Sequence, residues 1–314
     1  MSPIRPAVLL RPAVERLQAA GVASPEADAR TLLAWAMGVE TWQLATEMTD
    51  EVDAERFQEL VEARVAGWPL QYLTGAAYFR TVEVAVGPGV FIPRPETETV
   101  TGWALEALRE ALNLRWGSTY SSYFHLGSSE PRSVVELCAG SGAISLAIAA
   151  EEPGCRQWAV EMDDEAFGWL TKNCAGTDIQ LVHADMADAL HELDGSVDLV
   201  IANPPYVPES DRDLVASDVL THEPSRALFA GPDGLDAIAV VARVAARLLR
   251  RGGVLVCEHD ESQGGSVPAL IEATGWFEDV QDHPDLTGRP RFVTACRPRF
   301  KPDDRSRFKT ARRQ

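Results

Sequence analysis

The sequence contains no apolar run approaching the ~20 residues needed to cross a bilayer; its longest apolar stretches, such as Ala143 to Ala150, are far shorter. The opening MSPIRPAVLLRPAVER is broken by prolines and arginines and has no small-residue cleavage site after an apolar block, so no secretory leader is predicted. Cysteine is sparse. Its five residues (Cys138, Cys155, Cys174, Cys257 and Cys296) are odd in number and never spaced C-x-x-C. That excludes a disulfide framework and predicts reduced thiols in the cytoplasm. Positive charge is also scarce, with 29 Lys and Arg against 47 Asp and Glu for a net −18. A protein that grips nucleic acid through a broad basic surface is excluded on that ground. Seven Lys or Arg and only two Asp fall in Arg299 to Gln314, which leaves −23 on the body before them. This basic tail has no apolar period and is predicted to be disordered.

The 314 residues fit one large domain and a smaller one, and 46% hydrophobic content supports a substantial core. Residues 1–75 read as a helical bundle. Ser24-Pro25-Glu26 is a helix start, with Ser as N-cap, Pro at the first helical position and an acid in the first turn. That helix is predicted to end at Gly38. A second spans 51–66, where Phe57, Leu60, Val61 and Val65 share one face. Residues 76–93 read as a β-hairpin connector, with Val82, Val84 and Val86 alternating and the turn expected at Gly87-Pro88-Gly89. A helix is predicted over 97–112. Residues 113–132, rich in Ser, Gly and aromatics without a period, read as an inserted loop.

From residue 133 strands alternate with helices. The strands are expected at 133–138, 156–161, 178–183, 197–202, 252–258, 276–281 and 290–297, with helices at 142–150, 163–173 and 235–249. Short apolar strands separated by helices predict an α/β fold with a mostly parallel seven-stranded sheet. Ligands of such sheets bind beyond the carboxyl ends of the strands, here near Cys138, Glu161 and Ala202.

The first of these strands runs into Cys138-Ala139-Gly140-Ser141-Gly142 and then a helix. Glycines in such a turn let a ligand approach the backbone closely. Glu161 ends the next strand, 19 residues after Gly142, where a carboxylate can accept from ribose hydroxyls. Loop and acid together indicate a nucleoside-containing cofactor. They leave a dinucleotide and S-adenosylmethionine both open, although Ser145 stands where the dinucleotide fingerprint would have its third glycine. After the strand at 178–183 come Asp185, a candidate acceptor for an adenine amino group, and Met186, able to pack on its ring.

The strand at 197–202 ends in Asn203-Pro204-Pro205-Tyr206. Two prolines stop the sheet ladder and stiffen the exit. An Asn oxygen and the backbone carbonyl of Pro204 can then accept both hydrogens of an NH2 group while Tyr206 offers a flat wall. An amide nitrogen is a poor nucleophile. Acceptors that orient it toward an activated methyl group supply what it lacks, with neither metal nor strong base required. Asn203, Pro204 and Tyr206 are accordingly the catalytic candidates. Methylation of a planar amide or amine nitrogen is the predicted reaction.

At these residues the chain resembles the HemK/PrmC family of glutamine N5-methyltransferases over residues ~10–297. The resemblance rests on PLQYLTG (69–75), on IPRPETE (92–98), and on the glycine loop. Asn203 to Tyr206 and HEPSRALFAGPDGLD (222–236) complete it. It implies a class I, Rossmann-like methyltransferase domain over 94–298 that uses S-adenosylmethionine. The implied substrate is the glutamine of the Gly-Gly-Gln loop of class-I peptide release factors, gripped by the helical bundle. Carried over by position, Cys138 to Gly142 would hold the methionine end of the cofactor, Glu161 the ribose and Met186 the adenine region. Asn203 to Tyr206 would hold the glutamine amide, and Arg94 with Glu96 to Glu98 would line the entrance. Cys138 stands where many relatives have the first glycine, and Glu161 where Asp is more usual. A monomer without nucleic acid or membrane partners is expected. Methylation of an exocyclic amine on DNA or RNA is the alternative enzyme reading, and a non-enzymatic cofactor-binding scaffold the alternative outside enzymes.

Overall fold

Apolar runs become strands wherever helices cover both of their faces, and that is how the second half of this chain is built. The computed structural model describes residues 6–44, 53–110 and 131–298. Residues 113–130 of the expected insertion, residues 111 and 112 of the helix expected over 97–112, residues 51 and 52 of the expected second helix and the basic tail lie outside them. The first strands, β1 (Ala76–Phe79) and β2 (Val82–Ala85), pair as a two-stranded sheet. The turn between them is at Arg80 and Thr81, while the expected turn is present at Pro88 and Gly89 but follows the hairpin instead of joining its strands. Arg80 takes the left-handed conformation there, with φ of 52°. Its guanidinium grips Glu151 through two bonds of 2.7 and 2.9 Å and donates to the Glu98 carbonyl at 3.0 Å. A long-range ion pair thus holds a turn that no Gly or Pro announces.

All seven expected strands are present as β3 (Ser133–Leu137), β4 (Arg156–Glu161), β5 (Gln180–His183), β6 (Val197–Ala202), β7 (Leu249–Glu258), β8 (Glu278–Pro284) and β9 (Pro290–Cys296). They form one sheet in the order β5-β4-β3-β6-β7-β9-β8. β9 runs antiparallel to both β7 and β8, while the pairs among β3 to β7 are parallel. Helices Ala143–Glu151, Asp164–Asn173 and Asp236–Leu248 make the crossovers. The last buries Ile238, Val241, Ala242, Ala245 and Leu248 against the sheet. Each fully buried Val, Ile or Leu among them contributes roughly 1.5–3 kcal/mol before entropy is counted.

The chain order reverses between β3 and β6, and a crevice opens at the carboxyl ends of the strands at such a reversal. Register sets what gathers there. Leu137 lies opposite Val160 and Ala202, and Ala202 lies opposite Cys257. Residues 138, 161, 203 and 258 therefore emerge along one edge.

Contacts divide the described chain into two units. One holds the described residues up to Ala77 with Val86–Pro88 and Val215–Glu223, and the other holds the remainder, including the seven-stranded sheet. In the first unit, helices Pro6–Ala19, Pro25–Met37, Ala54–Val65 and Leu70–Thr74 enclose Leu17, Leu32, Leu33, Phe57 and Val61. Ser24 does precede the helix, but its side chain makes no capping bond; Pro25 at the first turn and left-handed Gly38 at the end delimit it. Asp28, from this helix, instead meets Arg64 at 2.8 Å as a mostly buried ion pair. No helix among the described residues is long and apolar enough to cross a membrane.

Candidate active site

A cavity of about 340 Å³ lies at the carboxyl edge of the sheet, wholly within the second unit. It is near the lower end of the ~300–1,000 Å³ range of small-molecule sites. Cys138, Ala139, Gly140 and Ser141 line it, with Glu161, Met186 and Asn203 to Tyr206. Gly142 does not. It starts the helix Ala143–Glu151 with φ of 83°, and a Cβ there would lie 2.7 Å from Leu170 Cδ1. Its role is to let the loop turn against helix Asp164–Asn173. Gly140, with φ of 54°, has nothing within 4 Å of its missing Cβ. A ligand can approach the main chain at that point.

Cys138 is also left-handed, with φ of 57°. A residue with Cβ pays of the order of 1–2 kcal/mol in that region, so the conformation is imposed by the loop rather than chosen by the residue. Its thiol sits 3.8 Å from Met186 Sδ. Burial, reinforced by Glu161, Glu136 and Asp185, pushes its pKa up strongly, which makes it a poor nucleophile. Asp185 itself is exposed and accepts from the Ala187 amide at 2.9 Å, so it is not part of the cavity wall.

The Glu161 carboxylate knits the cofactor edge together. Oε2 accepts from the Gly140 amide at 2.9 Å, and Oε1 accepts from the amides of Met162 and Asp163 at 2.8 Å each. The acid at the end of β4 thereby fixes the glycine loop as well as facing the cavity. Beneath that loop, buried Glu136 accepts from the Ser145 amide at 2.9 Å and from its hydroxyl. Burial pushes the pKa of Glu136 up to about 8 against those two bonds. Asn173 completes the frame. It brackets Ala85 of β2 with two bonds of 2.9 Å and donates to the Ser141 carbonyl at 2.9 Å.

On the other side of the crevice, the Asn203 amide donates from Nδ2 to Thr97 Oγ1 at 3.1 Å. Tyr206 donates its hydroxyl to Glu258 Oε1 at 3.2 Å, and its carbonyl accepts from Gln263 Nε2 at 3.0 Å. Gly234 makes room for that carbonyl: a Cβ there would lie 2.1 Å from it. Glu258 is 1% exposed and Thr97 3%. The Thr97 hydroxyl hydrogen-bonds the Glu258 carboxylate, and burial pushes that carboxyl's pKa up to about 7 despite Thr97, Arg291 and Tyr206, which all lower it. The segment after the tyrosine returns to close the wall. Val207 forms a parallel bridge with Phe229, and Pro224, Arg226, Ala227 and Leu228 line the cavity.

Of the residues expected at the entrance, Arg94 and Thr97 line the cavity, while Glu96 and Glu98 do not. The Arg94 guanidinium lies over the Phe91 ring at 4.6 Å. Sequence reading passed over Glu136, Met162, Asp163 and Arg226, which also line it, and Glu258 and Asn173 behind it. An acid ending β7 was the available signal for Glu258; nothing in the sequence marks Asn173. Among the described residues no group of three or more His, Cys, Asp or Glu is placed to hold a metal.

Residues 9–75 match the family described as the PrmC N-terminal domain, and residues 123–242 match the methyltransferase small domain. A protein of Streptomyces coelicolor named release factor glutamine methyltransferase is 47% identical over 90% of this chain and 95% of its own. A Streptomyces pristinaespiralis protein named 4-amino-L-phenylalanine/4-methylamino-L-phenylalanine methyltransferase is 39% identical, covering 87% of this chain and 89% of that one. Among solved structures, the hMettl16 catalytic domain in complex with MAT2A 3'UTR hairpin 6 superposes with a TM-score of 0.51. That match has 12% identity and covers 78% of this chain and 83% of the other, so it speaks for the fold alone.

Proposed function

The chain belongs to the family of release factor glutamine methyltransferases, and from that premise we propose that it methylates N5 of the glutamine in the Gly-Gly-Gln loop of class-I peptide release factors, with S-adenosylmethionine as methyl donor. The observation that carries the reading is the placement of the Asn203 amide and the Gly140–Glu161 cradle in one cavity.

The residues present fit that donor. The Glu161 and Asp163 carboxylates line the cavity beside the glycine loop, where they suit the hydroxyls of a ribose and the positive charge of a sulfonium. When bound, S-adenosylmethionine supplies a methyl carbon already activated for displacement. Gly140 and its neighbours would admit the amino-acid end to the main chain, Glu161 would hold the ribose, and Met186 would pack toward the base. Asn203 and the Pro204 carbonyl accept the hydrogens of the glutamine NH2, and Tyr206 flanks its plane. Held in that way, the nitrogen lone pair would form the N–C bond as the C–S bond of the donor broke with its electrons left on sulfur. The product is S-adenosylhomocysteine, and the surplus proton on nitrogen passes to water. Positioning carries most of this catalysis, since no base is needed before transfer.

The helical unit is assigned to docking of the release factor, a role supported by its match to a separate N-terminal domain family and by exposed Trp42, 75% accessible. The name of the S. pristinaespiralis relative keeps a small aromatic amine in view as a second acceptor class. Labelled S-adenosylmethionine offered with release factor, with tRNA or duplex DNA, and with 4-amino-L-phenylalanine separates these. Label on the release factor alone is expected. Label only on nucleic acid or only on the aromatic amine would overturn the proposal.

A further inference from the structure

Asn203 works as an acceptor for a substrate NH2 only if its amide is turned the right way. A half-turn about its last bond exchanges Oδ1 for Nδ2, and two donors would then face the two hydrogens of the substrate. The structure contains a device that decides between these orientations. Thr97 Oγ1 accepts from Asn203 Nδ2 at 3.1 Å and hydrogen-bonds the Glu258 carboxylate. A hydroxyl has one hydrogen, and an ionised carboxylate can only accept. The Thr97 hydrogen is therefore committed to Glu258, its lone pairs face Asn203, and only the nitrogen of the amide can meet them. The oxygen is turned away from Thr97.

The same carboxylate accepts from Tyr206 Oη at 3.2 Å, so one buried group steers both polar side chains of the strand exit. Backbone register delivers it. With Ala202 opposite Cys257, Asn203 and Glu258 are the next residues along β6 and β7. Thr97 arrives independently from the first turns of helix Pro95–Glu110, which explains what the threonine of the PETE segment is for. Both groups are almost wholly buried, where a hydrogen bond of the wrong polarity leaves two groups unsatisfied at ~1–3 kcal/mol each. Glu258 Oε2 is buried without a hydrogen-bond partner, so all of this carboxylate's hydrogen bonding is directed at the site.

We propose that Thr97 and Glu258 are positioning residues that set the polarity of the Asn203 amide, and with it the ability of Asn203 to accept from the methyl-accepting NH2 group. The proposal rests on the reading of Asn203 as that acceptor. The groups facing Glu258 are Thr97, Tyr206, Arg291 and Glu96. Once protonated, Glu258 can donate as well as accept and no longer fixes the direction of the Thr97 hydroxyl, so turnover should rise with pH as this carboxyl ionises around pH 7.

The test compares wild type with Thr97→Val, Thr97→Ser and Glu258→Gln in methylation of purified release factor, alongside cofactor binding by calorimetry. Thr97→Val, which keeps the shape but loses the hydroxyl, is expected to lower kcat roughly 10–100-fold, the range for groups that orient a reacting residue from behind. Its cofactor affinity should be unchanged. Thr97→Ser should restore most of kcat. Glu258→Gln, able to donate as well as accept, should lower kcat similarly and abolish the rise through pH 7. A filling or packing role would move none of these readouts selectively. Wild-type kcat in Thr97→Val, or a wild-type pH profile in Glu258→Gln, overturns the positioning role. If Thr97→Val fails to fold, Glu258→Gln and Thr97→Ser decide it on the same terms. Failure of the wild type to methylate the release factor is a different outcome, which sinks the substrate reading beneath the proposal.

Discussion

Asn203 and Glu161 line one cavity, yet each serves a different half of the reaction. Asn203 meets only the acceptor group, so Asn203→Ala should cost roughly 10²–10³-fold in kcat, comparable to the loss of one oriented hydrogen-bonding group elsewhere. Cofactor affinity measured by calorimetry should stay near wild type; a lost cofactor site would contradict the assignment. Glu161→Ala should do the reverse. Three backbone amides lose their shared acceptor, and one of them belongs to Gly140 in the loop itself. The KM for S-adenosylmethionine is expected to rise at least about tenfold, since even one charge-assisted bond is worth ~1.5–3 kcal/mol. An unchanged KM with a lowered kcat would place Glu161 on the wrong side of the site. These roles were legible because each residue closes a strand within a short, distinctive run. Thr97 and Glu258 were not, because they meet Asn203 only through sheet register and a helix separated from it by more than a hundred residues.

At the level of elements, the glycine loop depends on the helix behind it. Gly142→Ala would drive a Cβ to 2.7 Å from Leu170 at a φ of 83°. Strain and collision both act on the start of helix Ala143–Glu151, so a lower melting temperature and weaker cofactor binding are expected together. Normal binding at unchanged stability would show that the loop tolerates the shift. Strands and crossover helices were readable in advance because their apolar runs have helix or strand period and are buried on both faces. The hairpin turn was not. Gly87-Pro88-Gly89 carries the conventional turn residues and the chain does turn there, but the turn that joins the two strands is at Arg80, held by an ion pair with Glu151, a partner 71 positions away.

For the whole molecule, buried acids tie stability to pH in a sense opposite to that of turnover. Glu136 has its pKa raised from the ordinary 4.5 to about 8. The folded state therefore holds a proton that the unfolded chain gives up, and the stability this contributes is full below pH 4.5 and lost as pH rises toward about 8. Glu258 acts in the same sense up to about pH 7. Denaturant midpoints should fall across that window, and Glu136→Gln should flatten the fall; a midpoint that rises with pH in wild type would contradict the burial of these groups. At this scale the sequence was informative about what the chain avoids, since a −23 body disfavours a broad nucleic-acid grip. It was silent on how one strand exit presents its amide.

The central claim is that the methyl group ends on one side-chain amide of a release factor. Incubation of the protein with S-adenosylmethionine and purified release factor, followed by peptide mass spectrometry, locates it directly. The account predicts a single added methyl on the glutamine of the Gly-Gly-Gln peptide, formed roughly 10²–10³-fold more slowly with Asn203→Ala. An unmodified Gly-Gly-Gln peptide, with the methyl group on any other residue or on nucleic acid, would contradict it.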